Sequence, residues 1–305
     1  ENGEQAILLR NRRGFAPMIE CAECAWTPKC DHCDVTLTYH KKVNSLVCHY
    51  CNTTYPLPTE CPSCHAGELK TLGTGTERLE EEVAQLFPGV TVGRMDSDTT
   101  RGKDSFERII NDFQENRIRI LVGTQMISKG LDFGNVRVVG IIAADSMLNY
   151  PDFRSHERGF QLMIQAAGRA GRRDTQGMVI IQTADPAQPI YRFITRNDYD
   201  GFYQSQIVER KLFKYPPYTR LISIVLKHKD EQKVEYAANA FSQLLKKSLG
   251  DRVLGPNKPV VSRIQQQYIR EILLKIDHAI SPSHVRQIIK SAESHFRENS
   301  KFKQI

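Results

Sequence analysis

All eight cysteines of this 305-residue chain fall between residues 21 and 64, as four C-x-x-C pairs: Cys21/Cys24, Cys30/Cys33, Cys48/Cys51 and Cys61/Cys64. Two thiolates three positions apart fit one knuckle turn and span one edge of a Zn2+ tetrahedron. Two knuckles complete a structural site, so four predict two Zn2+. Disulfides and redox pairs are the competing readings. Disulfides need an oxidising compartment, and nothing in the chain marks it as secreted. One redox C-x-x-C is ordinary; four in succession are not. Fourteen residues separate Cys33 from Cys48, against five between Cys24 and Cys30 and nine between Cys51 and Cys61. Fourteen is close to ribbon spacing, and Val35–Tyr39 reads as a strand. A nested pairing follows, with Cys30/Cys33 and Cys48/Cys51 inside and Cys21/Cys24 and Cys61/Cys64 outside; sequential pairing is the alternative. His32, His49 and His65 neighbour the cysteines and are read as outer partners or as solvent-facing, since the thiolate count is already complete.

Charge divides the chain. Residues 1–195 carry a net −2 and residues 196–305 a net +9, so the basic character lies in the last third. A nucleic-acid partner or a solvated Lys-rich surface both fit that asymmetry. The cysteine segment is not basic: residues 21–64 hold three Lys/Arg and four Asp/Glu before thiolates add negative charge. That favours docking a protein, or placing Trp26 and the tyrosines against bases, over cradling phosphates; Trp26 packing as a small core is the bland reading. Hydrophobic residues make up 40% of the chain, enough for packed cores. No apolar run approaches the ~20 residues needed to cross a bilayer.

Ala6–Leu9 is a short apolar run predicted as a buried strand, followed by the basic turn Arg10–Gly14. Thr74 and Glu77 have the spacing of a capping box that opens a helix through Leu79, Val83 and Leu86, stopped by Pro88-Gly89. Val90–Arg94 reads as a strand, Phe106, Ile109, Ile110 and Phe113 as the apolar face of a helix, Ile118–Val122 and Val136–Ala143 as strands, 155–170 as a helix and Met178–Gln182 as a strand. Strands alternating with helices predict a parallel α/β sheet with functional residues at the carboxyl ends of its strands. After Tyr215-Pro216-Pro217-Tyr218 the pattern predicts a β-α-β-β-α domain: strand Leu221–Lys227, helix Glu231–Leu249, a turn at Val253–Pro256, strand Tyr268–Ile276 and helix His284–Phe296. The expected domains are 1–20 with 70–195 (the α/β lobe), 21–69 (the zinc insert) and 196–305 (a DNA-binding α+β domain).

Two motifs carry the chemistry. Gly123-Thr124-Gln125-Met126-Ile127-Ser128-Lys129-Gly130-Leu131-Asp132 follows a strand. Gln165-Ala166-Ala167-Gly168-Arg169-Ala170-Gly171-Arg172 places Gln165, Arg169 and Arg172 at i, i+4 and i+7, one face of a helix. Two guanidiniums on a small-residue surface suit a transferring phosphate; a packing helix with a solvated basic face is the alternative. Together the motifs resemble motifs V and VI of superfamily-2 helicases. No G-x-x-x-x-G-K-[ST] phosphate loop and no acidic Mg2+-holding motif is present, and the chain starts without Met. It is therefore expected to be the C-terminal part of a longer protein, with half of an ATPase site and no turnover by itself.

Taken with Asn11–Pro17, the four knuckles, Gly75-Thr76-Glu77 and Asp152-Phe153-Arg154-Ser155, these motifs resemble the C-terminal portion of the PriA family of replication-restart DNA helicases over roughly residues 6–260. The resemblance implies a RecA-like second motor lobe interrupted by a two-zinc ribbon-like insert and followed by a small α+β C-terminal domain. It implies a 3′-to-5′ helicase that uses ATP and Mg2+, acts on stalled forks and D-loops, and helps load the replicative helicase. Branched and single-stranded DNA, single-stranded DNA-binding protein and the primosome loading proteins would be its partners, in the cytoplasm with the nucleoid and not at a membrane. Gln165, Arg169 and Arg172 would face ATP, with Gly130 and Asp132 near it. Thr124, Gln125 and Lys129 would couple that site to DNA, and Thr76 would meet a DNA phosphate. The alternative is a non-enzymatic zinc-containing module that binds DNA or replication proteins.

Overall fold

A computed structural model of the chain describes residues 3–11, 18–73, 75–100, 102, 104–128, 133–171, 176–298 and 302. They form two compact units: 1–28, 38–47 and 55–203 in one, and 29–37, 48–54 and 204–305 in the other. In chain order the strands and helices are β1 (Gln5–Leu9), β2 (Met18–Cys21), β3 (Thr38–His40), β4 (Ser45–Val47), β5 (Thr54–Pro56), β6 (Leu69–Leu72), α1 (Thr76–Leu86), β7 (Val92–Met95), α2 (Ser105–Gln114), β8 (Ile120–Gly123), β9 (Val136–Ile141), α3 (Asp145–Leu148), α4 (Ser155–Ala167), β10 (Met178–Ile181), α5 (Pro189–Thr195) and α6 (Tyr199–Leu212). They continue as β11 (Thr219–His228), α7 (Glu231–Leu249), β12 (Val253–Asn257), β13 (Arg263–Ile264), β14 (Gln267–Asp277) and α8 (Pro282–Glu298).

The first unit is built on a parallel sheet in the order β10-β9-β1-β8-β7. Crossover connections put helices on both faces of such a sheet, so its strands are apolar on both sides. In β1, Ile7 and Leu9 enter the core with Phe113, Phe133, Phe160 and Met163, while Leu8 packs with Leu79 and Val83 of α1. Phe113 meets Phe133 edge-on at 4.7 Å. Immediately after β1 the chain leaves for the cysteine segment and returns through β6. Strands β2 and β6 pair antiparallel, Met18 opposite Leu72 and Cys21 opposite Leu69, which closes the neck of that excursion. Among the described residues no helix is long and apolar enough to cross a membrane.

In the second unit β11 and β14 pair over ten residues, with β12 and β13 also paired to β14. Helices α7 and α8 pack on this sheet through Val234, Phe241, Leu245, Val285 and Phe296. Arg270 of β14 is 1% exposed and ion-pairs with Glu235 and, at 2.9 Å, with Glu231 of α7. Burial lowers its pKa, but the two carboxylates outweigh burial and the net shift is upward, so it stays charged.

Three local expectations need correction. Val253–Pro256, read as a turn, is part of strand β12. A sheet edge tolerates Pro256, which has no N–H to donate, and the β12–β14 register shifts between Leu254 and Asn257 to accommodate it. Helix α1 starts at Thr76 with Gly75 at its N-cap and no side-chain cap; Thr74, the expected capping residue, lies outside the described residues. Glu77 is turned instead toward Arg94, 3.8 Å away. Helix α4 ends at Ala167, not 170, because Gly168 caps it and the chain continues in tight turns through Arg169.

At the start of α1 a charged cluster is sealed inside the lobe. Asp96, fully buried, accepts hydrogen bonds from the Thr76 hydroxyl at 2.6 Å and from the N–H groups of Asp98 and Thr99 at 2.9 and 3.0 Å. Arg94 lies 3.7 Å from it and 3.2 Å from Glu80. Burial alone raises the Asp96 pKa, but the Thr76 hydroxyl, the Arg94 charge and the two N–H donors bring the net shift below the usual carboxylate value. A carboxylate with a depressed folded-state pKa stabilises the fold above its unfolded pKa of 3.8, and that stability is lost as the pH falls through the lower folded value. Asp96→Asn is expected to cost about 3 kcal/mol at neutral pH, since it leaves a buried guanidinium short of a partner. The cost should shrink as the pH falls from 3.8 through that window. Urea denaturation from pH 7 down to pH 3 measures this, and a pH-independent difference would remove Asp96 from its role.

Candidate metal centres and motor motifs

The eight sulfurs form two groups, Cys21/Cys24/Cys61/Cys64 and Cys30/Cys33/Cys48/Cys51, and within each the Sγ atoms lie within 4.8 Å of one another. This is the nested pairing, and neither group contains a histidine. Four thiolates about 2.3 Å from one Zn2+ stand roughly 3.8 Å apart at the corners of a tetrahedron. The measured separations are 3.6 Å for Cys21–Cys64, 3.7 Å for Cys24–Cys61 and 3.6 Å for Cys30–Cys51. An all-sulfur donor set at this spacing fits a structural Zn2+.

The thiols in each group titrate unequally. The Cys24 N–H foremost brings Cys21 down to about 7. Burial pushes Cys51 up, but hydrogen bonds from the Thr53 hydroxyl and N–H overcome it and bring it down to about 6. Burial drives Cys48 up to about 12. Cys64 also reaches about 12, because its cysteine neighbours and burial outweigh the Ala66 N–H that would lower it. Four thiols this close cannot all ionise without a cation among them, which a dication supplies. The groups differ in shelter: Cys24 and Cys64 are exposed, whereas Cys30, Cys33 and Cys48 are buried.

At the carboxyl end of β8 the chain bends sharply. Thr124, 8% exposed, donates its N–H to the Met95 carbonyl of β7 at 3.2 Å, and a 3-10 turn follows over Gln125–Ser128. Lys129, Gly130 and Asp132 lie outside the described residues. Gln165 sits in the last turn of α4 and shares a polar groove of about 440 Å3 with Gln125, Asn11, Ser146, Tyr150 and Arg158. Arg169 donates from its guanidinium to the Ser128 carbonyl at 2.6 Å, joining the second motif to the first. It does so from beyond the end of α4, so the expected single helical face through Gln165, Arg169 and Arg172 is not formed; Arg172 lies outside the described residues. The small residues of this motif do admit a close neighbour, which is the chain's own backbone. A Cβ built on Gly177 would stand 2.3 Å from the Gly171 nitrogen. Thr76 is fully buried with its hydroxyl committed to Asp96, so that hydroxyl is not free to meet a DNA phosphate as expected.

Asp96 is the residue that sequence reasoning missed. Asp96 binds Thr76 and Thr99, and Thr100 reaches the Met126 sulfur at 3.9 Å. The available signal was an Asp and two Thr directly after a strand, where α/β sheets place polar function. Asp152-Phe153-Arg154-Ser155 makes the entry to α4: Asp152 accepts the Arg154 N–H at 2.8 Å and pairs with Arg158 at 3.1 Å.

Known proteins match this chain along most of its length. The family model of the helicase conserved C-terminal domain matches residues 69–174, that of the PriA DNA helicase Cys-rich region domain matches 30–56, and that of the primosomal protein N C-terminal domain matches 211–304. Replication restart protein PriA of Bacillus subtilis (strain 168) is 41% identical over 275 residues, covering 90% of this chain and 34% of the relative. That of Treponema pallidum (strain Nichols) is 41% identical over 299 residues, covering 97% of this chain and 45% of the relative. The chain thus spans between a third and a half of the length of these relatives. The C-terminal domain of the DEAD-box protein Dbp5 is a distant structural neighbour, 19% identical with a TM-score of 0.32 over 44% of this chain and 75% of that one. With a helicase C-terminal lobe, a PriA Cys-rich region and a PriA C-terminal domain matched along one chain, the chain belongs to the PriA family and corresponds to its C-terminal portion.

Proposed function

We propose that this chain supplies the second motor lobe, the zinc insert and the DNA-binding C-terminal domain of an ATP-dependent 3′-to-5′ DNA helicase that restarts replication at stalled forks and D-loops and helps load the replicative helicase. The observation that carries this reading is the 2.6 Å bond from Arg169 to the Ser128 carbonyl, which joins the two motor motifs beside the polar groove holding Gln125 and Gln165. On this reading Gln165, Arg169 and Arg172 stabilise the charge that develops on the transferring phosphoryl group of ATP with Mg2+, near Gly130 and Asp132. Thr124, Gln125 and Lys129 relay that state to the DNA backbone. The lobe comprises residues 1–20 and 70–195, the insert 21–69 and the DNA-binding domain 196–305. Single-stranded DNA-binding protein and the primosome loading proteins are the protein partners, in the cytoplasm with the nucleoid.

Each four-cysteine group holds one Zn2+, whose contribution is to tie the insert together. Elemental analysis of the purified chain should return two zincs. One or none, with the thiols intact, defeats the two-site reading.

The chain has no phosphate loop, so by itself it should show no DNA-stimulated ATPase. In the full-length protein, Arg172→Ala should leave DNA affinity nearly unchanged and cut kcat by about 10³-fold, the scale of a lost arginine finger. Near-normal turnover would take Arg172 out of the site.

The net +9 of residues 196–305 gives a third test. Each phosphate neutralised steepens the fall of log K with log salt by about 0.9 on duplex DNA, so three to five contacts give a slope of about −2.7 to −4.5. A forked-DNA titration across salt concentrations measures it, and a slope near zero would exclude the basic domain as the anchor.

A further inference from the structure

Three of the four knuckles close alike. The N–H of the first cysteine donates to the carbonyl five residues on: Cys21 to Trp26 at 2.8 Å, Cys48 to Thr53 at 3.0 Å and Cys61 to Ala66 at 2.8 Å. The residue four on adopts the left-handed conformation, with φ of 57° at Ala25, 60° at Asn52 and 59° at His65. Each returns its N–H to that cysteine's carbonyl, at 3.1, 2.8 and 2.8 Å. The remaining knuckle keeps the first bond, Cys30 to Val35 at 3.0 Å, but departs at the second. There Asp34 donates its N–H to the Arg263 carbonyl at 2.9 Å, and it is not among the described residues with positive φ.

Arg263 belongs to the β13–β14 hairpin of the C-terminal domain. Its two-residue turn is Gln265-Gln266, both left-handed at φ 50° and 63°, the pattern of a type I′ turn. Glycine or asparagine usually fills such positions, so two glutamines carry a conformational cost there. The tip of the turn meets the knuckle. The Gln265 N–H donates to Cys33 Sγ at 3.4 Å and the Gln266 N–H to the His32 carbonyl at 2.8 Å. The Ser262 hydroxyl donates to the Asp34 carboxylate at 3.0 Å. With the Asp34–Arg263 bond, four hydrogen bonds join residues 32–34 to residues 262–266, and one ends on a sulfur of the inner group. Cys33 is 1% exposed.

We propose that this turn is a clasp on the inner metal site: a metal held by Cys30, Cys33, Cys48 and Cys51 and the C-terminal hairpin stabilise each other, so loss of that metal loosens the hairpin from the knuckle. The proposal rests on the metal reading given above. An N–H aimed at a ligating sulfur stabilises the thiolate and fixes its orientation, and removal of such outer partners costs about 10–100-fold in metal affinity. Coupling of this kind is reciprocal: whatever the hairpin adds to metal affinity, the metal adds to hairpin docking. The outer group has two exposed cysteines, so its metal is the one that leaves first.

The test begins with the zinc content of the chain, then follows release to the chromophoric chelator 4-(2-pyridylazo)resorcinol. Two ions should leave in two phases. Gln265→Pro removes the donor and breaks the turn, and it should speed the slow phase about tenfold or more and leave the fast phase alone. Gln265→Asn with Gln266→Gly keeps the N–H and favours the turn, so it should retain the slow phase. Should Gln265→Pro fail to fold, Asp34→Ala with Ser262→Ala keeps the turn and should give a smaller acceleration of the same phase. With Co2+ in the sites, Gln265→Pro should also shift the sulfur-to-metal absorption to lower energy. In the unaltered chain, stripping the metals should raise hydrogen exchange at the amides of residues 262–270. Two bound zincs with an unchanged slow phase in the variants, or unchanged exchange on stripping, overturns the clasp and leaves the metal reading standing. Fewer than two zincs with free thiols overturns the metal reading and the clasp together.

Discussion

Strand β1 is paired on both sides, in register with Leu121 and Gly123 of β8 and with Val139 and Ile141 of β9. It is the first strand in sequence and the middle strand of the sheet. That placement constrains everything after it. The carboxyl end of β1 delivers the Arg10 backbone N–H to the Gly123 carbonyl at 2.8 Å, directly beside the start of the first motor motif. A segment inserted here must leave and return at one point, or β7 and β8 could not be laid down beside β1. The β2–β6 ladder provides that return, and the outer cysteine group continues it with one knuckle beyond each strand. Nested pairing adds to that closure, because the outer cysteine group joins the two sides of the excursion just beyond the ladder.

Below about 40 residues a hydrophobic core rarely sustains a fold without metals or disulfides. The cysteine segment is near that size, and its buried apolar side chains are few, Ile19, Leu37 and Leu46 among them. The cysteines replace a core that this length cannot build. The second unit solves the same problem by packing α7 and α8 on a sheet, and its buried Arg270 is paired with Glu231 and Glu235. The arginine is the buried partner and the two glutamates reach solvent, so the pairs let its charge stay inside the fold.

What was legible in the sequence was whatever obeyed a local period or a ligand spacing. The four knuckles and the individual strands each follow from residues within about fifteen positions of one another, and the nesting from the spacings between the knuckles. The C-terminal β-α-β-β-α pattern was legible for the same reason, although β12 was not, because Gly255-Pro256 inside it carries a turn signature that edge pairing overrides. The end of α4 was misplaced because spacing alone does not register that Gly168 stops a helix even when the arginine beyond it still reaches its target. Asp96 and the Asp34–Arg263 bond were invisible for a different reason. Each depends on a partner brought near only by the completed fold, twenty residues away in Thr76 for Asp96 and far along the chain in Arg263 for Asp34.

The two motor motifs and the inner knuckle show two ways of making distant segments act together. Between the motifs the link is one charged donor on a backbone carbonyl, Arg169 to Ser128. A hydrogen bond from a charged group contributes about 1.5–3 kcal/mol, small enough to break and reform as a ligand comes and goes. Gly177 against Gly171 adds a close backbone approach that holds the end of the second motif against the segment that follows it. At the inner knuckle the link is four hydrogen bonds, one of them ending on the Cys33 sulfur. The first arrangement rests on a bond that can break and reform, whereas the second must lose four bonds before the knuckle and the hairpin part, which suits an anchor.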